Sequence, residues 1–528
     1  MERPESAYQG SVTRVREAVR AQLPTWLLLL ALSYGFRLPP LLNARSTNSD
    51  AAVVGLQAMH MLRGEWSPFL WGSGYQTSAD SVIAAAWFAI FGASPLVLML
   101  SALTLHVAST FMVFGMMKRR FEPWLALLVT LPMVVTPSSV HSYALYPPRQ
   151  ASLTLAMAAF YALDSAGLIN PGRERSEQRV RIGIAIGGLL ATLAVGADPY
   201  PLLLLPLVSL YALVVSFHEA SAQQRGARIM AFSAGTLVGL APFMIIHRLP
   251  GAKSGPMGFT TTMLSHHWKL LVDECLPWAL SYKVYFARDV MDYKPWDAPA
   301  FAALGILGAL CLGGMVVYAL VVPANVPVPT RRLGVVGALG FPLALGAFLV
   351  SVMSMDHFSM RYLAVLTLMT PFAVAPAAHA LGMRRFFPLF LPHLVASAIG
   401  GWVGYGPFVR GPLPVRETPE LKDDYVLFDL MKSRGLKYAT ADYWASYRLT
   451  LLSRENVIVV PKNEAEDRYA PYRRSFEAQP AYAYVFDPGR SREDLISTEI
   501  DLFAESAHVE KVMAGRLTVF FVTRRPKP

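Results

Sequence analysis

The chain has 528 residues, of which 54% are hydrophobic and 16% charged, with a mean hydropathy of +0.38. A run of about twenty apolar residues crosses a ~30 Å hydrocarbon core, and about a dozen such runs are more than one globular core can bury, which excludes an ordinary soluble enzyme. The net charge of +11 is carried by short loops between apolar runs, with no continuous basic face interleaved with aromatics; that excludes nucleic acid and leaves membrane lipids as the anions these loops meet.

Residues 1–22 are polar, with Arg14, Arg16 and Arg20 just ahead of the first apolar run and no small-residue cleavage site after it. They are expected to form a cytoplasmic N-terminus before a retained span, not a signal peptide. Spans are expected at Leu23–Leu42, Ile83–Met117 (interrupted at Gly92–Pro95), Pro123–Val140, Ala151–Leu168, Ile182–Val195 and Leu202–Phe217. Further spans are expected at Ile229–Ile246, Phe301–Val322, Leu333–Met353, Tyr362–Leu381 and Phe387–Tyr405, about eleven in all. The membrane region is thus 23–406, with a first external loop at 43–80 and a long one at 248–299. Lys118-Arg119-Arg120, the basic cluster at 173–181, Arg225 and Arg228, Arg331-Arg332 and Arg384-Arg385 all fall in alternate loops. By the positive-inside rule that side is cytoplasmic. An odd count then puts the C-terminus outside, as in an integral protein of the cytoplasmic (inner) membrane.

Within the first loop, Asp50–Arg63 has apolar residues at helical spacing but is too short to span, the pattern of a helix lying in the interface plane. Gly64, Pro68, Trp66, Phe69 and Trp71 then break it up at headgroup level. After Tyr405 the composition changes: Gly411-Pro412, Pro414 and Pro419 mark a linker over 407–420. From 421 to 528 a helix-like LKDDYVLFDLMKSRG precedes strand-like KYATADYW, NVIVVPK and AYAYVFD, a helix-like REDLISTEIDLFAES and a closing strand-like RLTVFFVTRR. The expected fold is a polytopic α-helical membrane protein with a C-terminal extracytoplasmic α/β domain. No Gly-rich loop precedes a helix there, so no dinucleotide or phosphate-cradle fingerprint is present.

Asn48-Ser49-Asp50 marks the start of the loop helix. Asp50 caps it, accepting a backbone N–H, or turns a carboxylate toward a cleft where it takes a proton from a hydroxyl; the two are compatible, since one oxygen can cap while the other faces the cleft. His266-His267 has no neighbouring ligand at metal-binding spacing, and Cys275 and Cys311 fall in a loop and a span, so neither a metal centre nor a disulfide is expected.

The stretch SDAAVVGLQAMHMLRGEWSPFLWGSGYQTSADSVIAAAWFAIFGASPLVL resembles the first external loop of the C-type superfamily of membrane glycosyltransferases. Protein O-mannosyltransferases and lipid A aminoarabinose transferases are members of it. Ser49-Asp50, Gly55-Leu56, Ala58, Gly64-Glu65, Tyr75, Ser78, Phe88 and Phe91-Gly92 match the loop pattern of its bacterial branch, and Asp80 stands where that pattern has Glu. Ala51, Ser73-Gly74 and Thr77 depart from it. Arg361-Tyr362-Leu363 is similar to the family's R-Y-L motif. ATADYWASYRLTLLSRENVIVVP, RYAPYRRSF and AYAYVF are similar to the branch's extracytoplasmic domain.

The resemblance implies an inverting glycosyltransferase in which Asp50 is the general base for an acceptor hydroxyl and a polyprenyl phosphate leaves. A fixed cation near a phosphate leaving group lowers the barrier. Arg361 is the first candidate, unless it only snorkels to headgroups; Arg149, after Tyr146-Pro147-Pro148, is the second. Tyr75 and Gln76 are candidates for an acceptor cleft. Asp80 orients the acceptor, assists Asp50, binds a divalent ion or only caps the helix starting near Ser81. Asp356-His357 lies beside Arg361, and Asp198 has the look of an outer turn residue. The implied partners are a polyprenyl-phosphate-linked sugar and a lipid, glycan or protein acceptor; a divalent cation is the one cofactor left open. The alternative is a transporter or flippase of lipid-linked or small polar substrates, which would show internal repeats and charges near mid-membrane; the sequence shows no repeat, and most charges cluster at span ends.

Overall fold

The computed structural model describes residues 23–42, 47–137, 140, 144–167, 176–253, 255, 258–283, 299–321, 325–404, 419–487 and 507–524. The N-terminal segment, most of the linker, the REDLISTEIDLFAES segment and the C-terminal four residues lie outside the described residues.

The first apolar run forms α1 (Leu23–Gly35) and a separate short α2 (Leu38–Leu42). Next come α3 (Ser49–Leu62), a two-stranded hairpin of β1 (Phe69–Leu70) and β2 (Ser73–Thr77), then α4 (Ala79–Phe91) and α5 (Pro95–Lys118). The break between α4 and α5 falls where the sequence places it. Gly92 takes φ 80, Ser94 caps α5 by accepting from Val97 N, and Pro95 occupies the first turn, where its missing N–H costs nothing.

Helix α6 (Pro123–Thr130) runs into a 3-10 turn at Leu131–Met133, so it is shorter than the expected Pro123–Val140 span. The carbonyls freed there are met by Arg37, which has no exposed surface: it donates to Val134 O at 2.8 Å and Met133 O at 3.3 Å. A broken helix deep in a membrane protein needs such internal partners.

The remaining bundle comprises α7 (Gln150–Gly167), α8 (Glu177–Ala197), α9 (Leu205–Phe217) and α10 (Ala222–Ile246). Two short helices, α11 (Leu264–Leu270) and α12 (Leu276–Ala279), stand in the long loop, followed by α13 (Pro299–Val321), α14 (Val328–Val350) and α15 (Ala364–Gly404). Gly382, at φ 65, divides α15 between the two spans expected there. Among the described residues, six helical segments are long and apolar enough to cross a membrane, and four shorter apolar helices accompany them. Helices α8 and α10 meet through glycine: a Cβ on Gly235 would lie 1.9 Å from Ala185 O, and one on Gly188 2.3 Å from Phe232 O. Close backbone approach of this kind is how apolar helices associate in lipid. The outer face of α10 leaves Leu237, Val238 and Ile245 about two-thirds exposed, as a lipid-facing helix does.

Three of the cations counted for orientation are engaged in ion pairs within the protein. Arg119 and Arg120 both pair with the fully buried Asp164, which also accepts from Tyr211 Oη at 2.6 Å. Arg228 likewise pairs with Glu177 at 2.8 Å.

The C-terminal part has α16 (Pro419–Ser433), β3 (Tyr438–Ala441), α17 (Tyr443–Leu452), β4 (Ile458–Pro461) and α18 (Ala470–Glu477), then β5 (Ala481–Phe486), β6 (Ala507–Ala514) and β7 (Leu517–Arg524). Its five-stranded sheet has the order β4-β3-β5-β7-β6, parallel across the first three strands and antiparallel across the rest. The strand expected over KYATADYW stops at Ala441. There Asp442 caps a helix through Trp444 N and Ala445 N, and an Asp side chain that takes up the first free N–H groups starts a helix.

The structure corrects the placement of the loop helix. α3 forms over the expected residues, but its flanks are covered rather than half-open: Ala51 to Met61 are all buried. Even its polar Gln57 and His60 are buried, so no face is left for headgroups and it is a core helix. α4 covers one flank and α17 another, with a Cβ on Gly55 only 3.1 Å from the Leu451 side chain. A single apolar cluster joins Val54 and Leu56 to Tyr447, Leu451, Val460 and Tyr472. At the C-terminal end of α3, His60 bridges Glu65 (2.8 Å) and Glu455 (2.7 Å), and Arg63 and Tyr472 also bind Glu455. Glu455 itself sits at φ 63. Trp71 stacks on Tyr469 at 3.9 Å. First loop and C-terminal domain are one packed unit.

Candidate active site

Where that unit meets the helix bundle there is a polar cavity of about 150 Å³. It is lined by Asp50, Tyr75, Gln76, Arg149 and Arg361, five of the six residues that stand out in the sequence, and by Tyr443 and Arg468, which do not. They come from α3, β2, the turn before α7, the turn before α15, and the C-terminal domain.

Asp50 stands in the first turn of α3. The cap is Asn48, whose side-chain oxygen accepts from Ala51 N at 2.8 Å, so of the two sequence readings the capping one does not describe Asp50. Its carboxylate is 41% exposed and faces the cavity. Tyr443 Oη donates to Oδ1, and Arg468 Nη2 lies 4.0 Å away. Burial, and then the neighbouring Asp50 carboxylate, push the Tyr443 phenol up, so it stays protonated. Burial opposes the Arg468 charge, but Tyr443 and Asp50 more than offset it and its pKa is raised.

Arg361 lies in a 3-10 turn (His357–Leu363) opened by Asp356 and Ser359. Its Nη2 donates to Tyr362 Oη at 3.2 Å, and its guanidinium carbon is 5.1 Å from the Tyr362 ring centre. Arg149 approaches the same ring at 5.8 Å and the Tyr200 ring at 6.0 Å, while its Nε donates to Asp198 Oδ2 at 3.3 Å. Tyr200 Oη in turn donates to Tyr362 O at 3.0 Å. One aromatic ring thus holds two guanidiniums, whose attraction to its face offsets part of their mutual repulsion. His357 packs edge-on against Trp278 and lies 3.8 Å from Glu274.

Asp198 is buried, not a simple turn residue: it accepts from Gln76 Nε2, Arg149 and Tyr200 N. Gln76 is thereby turned to Asp198, and burial pushes the Tyr75 phenol up. Asp80 is the one candidate that does not line the cavity. It caps, but not its own helix: its carboxylate accepts from Arg149 N at 3.1 Å and Ala151 N at 3.2 Å, holding the start of α7. Arg149 is at φ 105 in that turn, so Asp80 secures the backbone that presents it. Among the described residues no group of three or more His, Cys, Asp or Glu is placed to hold a metal ion. His267 Nδ1 bonds to Leu349 O at 2.8 Å, and Cys275 is free and buried.

Three arginines and one carboxylate therefore share a small cavity, and the excess positive charge suits a phosphate. Sequence reasoning misses Arg468 and Tyr443, although both fall in segments, RYAPYRRSF and ATADYW, that carry the family resemblance. Their sequence separation from Asp50 is 418 and 393 residues, and only docking of the domain brings them in.

No family model matches the chain, and no curated protein matches it. Among solved structures, ArnT from Cupriavidus metallidurans is similar in its apo state (TM-score 0.45, 12% identity, 97% of this chain and 98% of that one). The same protein bound to undecaprenyl phosphate gives a TM-score of 0.46 at 13% identity, over 96% and 98% of the two chains. The oligosaccharyltransferase of Archaeoglobus fulgidus, tethered to an acceptor peptide containing the NVT sequon, gives 0.47 at 11% identity over 96% and 74%. Likenesses this distant decide nothing about the chemistry, which rests on the cavity itself.

Proposed function

We propose that the protein is an inverting glycosyltransferase that moves a sugar from a polyprenyl-phosphate carrier to an acceptor hydroxyl. The observation that carries this reading is one carboxylate, free of capping, lining one polar cavity together with three arginines. Asp50 takes the proton of the acceptor hydroxyl as its oxygen bonds to the anomeric carbon. The bond from that carbon to the phosphate oxygen breaks, and the electron pair leaves with polyprenyl phosphate. Phosphate needs no proton to depart when cations meet its charge, and Arg361 with Arg149 supplies them. A retaining path would need a carboxylate nucleophile beside a separate acid–base group. Among the described residues lining the cavity Asp50 is the only carboxylate, which favours one displacement and inversion.

In the same reading the chain makes about eleven crossings of the inner membrane, with its N-terminus cytoplasmic and its C-terminal domain outside. The acceptor is a lipid, glycan or protein hydroxyl, and Tyr75 lines its approach. Asp50→Asn is the test, in purified enzyme given a polyprenyl-phosphate-sugar donor. Loss of a positioned general base lowers the rate by about 10²–10⁴-fold, with insertion and domain docking intact. Full turnover by that variant overturns the mechanism.

A further inference from the structure

Resting on the base role of Asp50, we infer that Tyr443 of the C-terminal domain is a positioning residue for that carboxylate, itself held by Arg468. The hydrogen-bond directions follow from chemistry. A guanidinium N–H only donates, so Tyr443 Oη accepts from Arg468 Nε, at 3.2 Å. The single phenolic proton then goes to Asp50 Oδ1, since an ionised carboxylate only accepts. With Oδ1 engaged, the carboxylate plane is set and Oδ2 is left for the incoming hydroxyl. Geometry held this closely is what general base catalysis depends on.

The support behind Tyr443 is built across two distant segments. Its ring is buried and packs edge-on against Tyr447 at 5.9 Å. Arg468 N donates to Tyr447 Oη at 2.6 Å, and Nη1 donates to Ser73 Oγ in β2 at 3.3 Å. The Arg468 stem crosses Gly72 so closely that a Cβ there would lie 2.5 Å from Arg468 Cδ and 2.8 Å from its Cα; Gly72 is also at φ 70. Only glycine admits that crossing. The C-terminal domain thus completes the catalytic apparatus, beyond covering it.

The test compares Tyr443→Phe with wild type and Asp50→Asn, using a hydroxyl acceptor and then azide. Azide is an anion with no proton to lose, so its transfer bypasses the base. Tyr443→Phe is expected to lower hydroxyl transfer about 10–100-fold with the donor KM unchanged, and to keep azide transfer within about twofold of wild type. Asp50→Asn is expected to lose hydroxyl transfer and keep azide transfer. Hydroxyl transfer by Asp50→Asn at the wild-type rate overturns the base role. Normal hydroxyl transfer by Tyr443→Phe, with Asp50→Asn inactive, overturns the positioning role alone. Equal loss of hydroxyl and azide transfer by Tyr443→Phe means it acts through folding or donor binding, which also overturns it.

Discussion

Glu455→Gln tests how firmly the C-terminal domain is seated on the first loop. The Glu455 carboxylate is 11% exposed and is bonded by His60, Arg63 and Tyr472. Burial works against its charge, but these partners win and hold it at about 2 instead of the ordinary 4.5. At about 1.36 kcal/mol for each pKa unit, the folded arrangement favours the ionised form by about 3 kcal/mol. It also has to offset the cost of the left-handed backbone at Arg454 and Glu455 (φ 51 and 63), roughly 1 kcal/mol or more for each such residue. The amide variant removes the charge and keeps the shape, so most of the 3 kcal/mol is lost. Hydrogen exchange of the α3 and α17 amides should then speed up about 100-fold at neutral pH.

The pH dependence has two signs. Glu455 has a depressed pKa, so its contribution is complete above about 4.5 and is lost as pH falls toward 2. His60 is opposed by burial yet raised overall by Glu455 and Glu65, so its contribution is complete below 6.5 and lost as pH climbs through its raised value. Docking should be tightest from about pH 4.5 to 6.5. Exchange rates that are unchanged in Glu455→Gln, or protection that grows from pH 6 to 9, would refute the reasoning.

Two further outcomes concern the arginine side of the cavity. Arg361→Ala should raise the donor KM or slow the chemical step, while Arg361→Lys restores charge but not the bidentate fork and recovers only part; steady-state kinetics against donor concentration decide it. Asp80→Ala removes a cap from the Arg149 N–H and Ala151 N–H, costing about 1–2 kcal/mol. It should weaken donor use through the loosened Arg149 turn. Asp80→Asn keeps one acceptor oxygen but turns an NH2 toward the other backbone N–H, so it should fall between wild type and Asp80→Ala in the same kinetics.

Much of the membrane architecture is legible in the sequence because its signals are local. The break at Gly92–Pro95 and the division of α15 at Gly382 come from backbone chemistry that the residues carry with them, and so do β4, β5 and β7. Where the signal depends on a neighbour, it misleads. The apolar α3 fits an interface helix until the α/β domain is seen to cover it, and β3 ends early because Asp442 starts a helix. Three of the six candidate residues have their partners decided elsewhere: Gln76 and Arg149 by Asp198, Asp80 by the start of α7.

The sequence by itself determined that the chain is a membrane protein, since hydropathy is a property of the chain alone, and its motifs singled out Asp50, Asp80, Arg149 and Arg361 as candidate charges. Only tertiary structure decided that Asp50, Arg149 and Arg361 share one cavity, and that Tyr443 and Arg468 join them from some 400 residues away. Hydrogen bonds act over about 3 Å, and no pattern along the chain records which distant side chains the fold will bring that close.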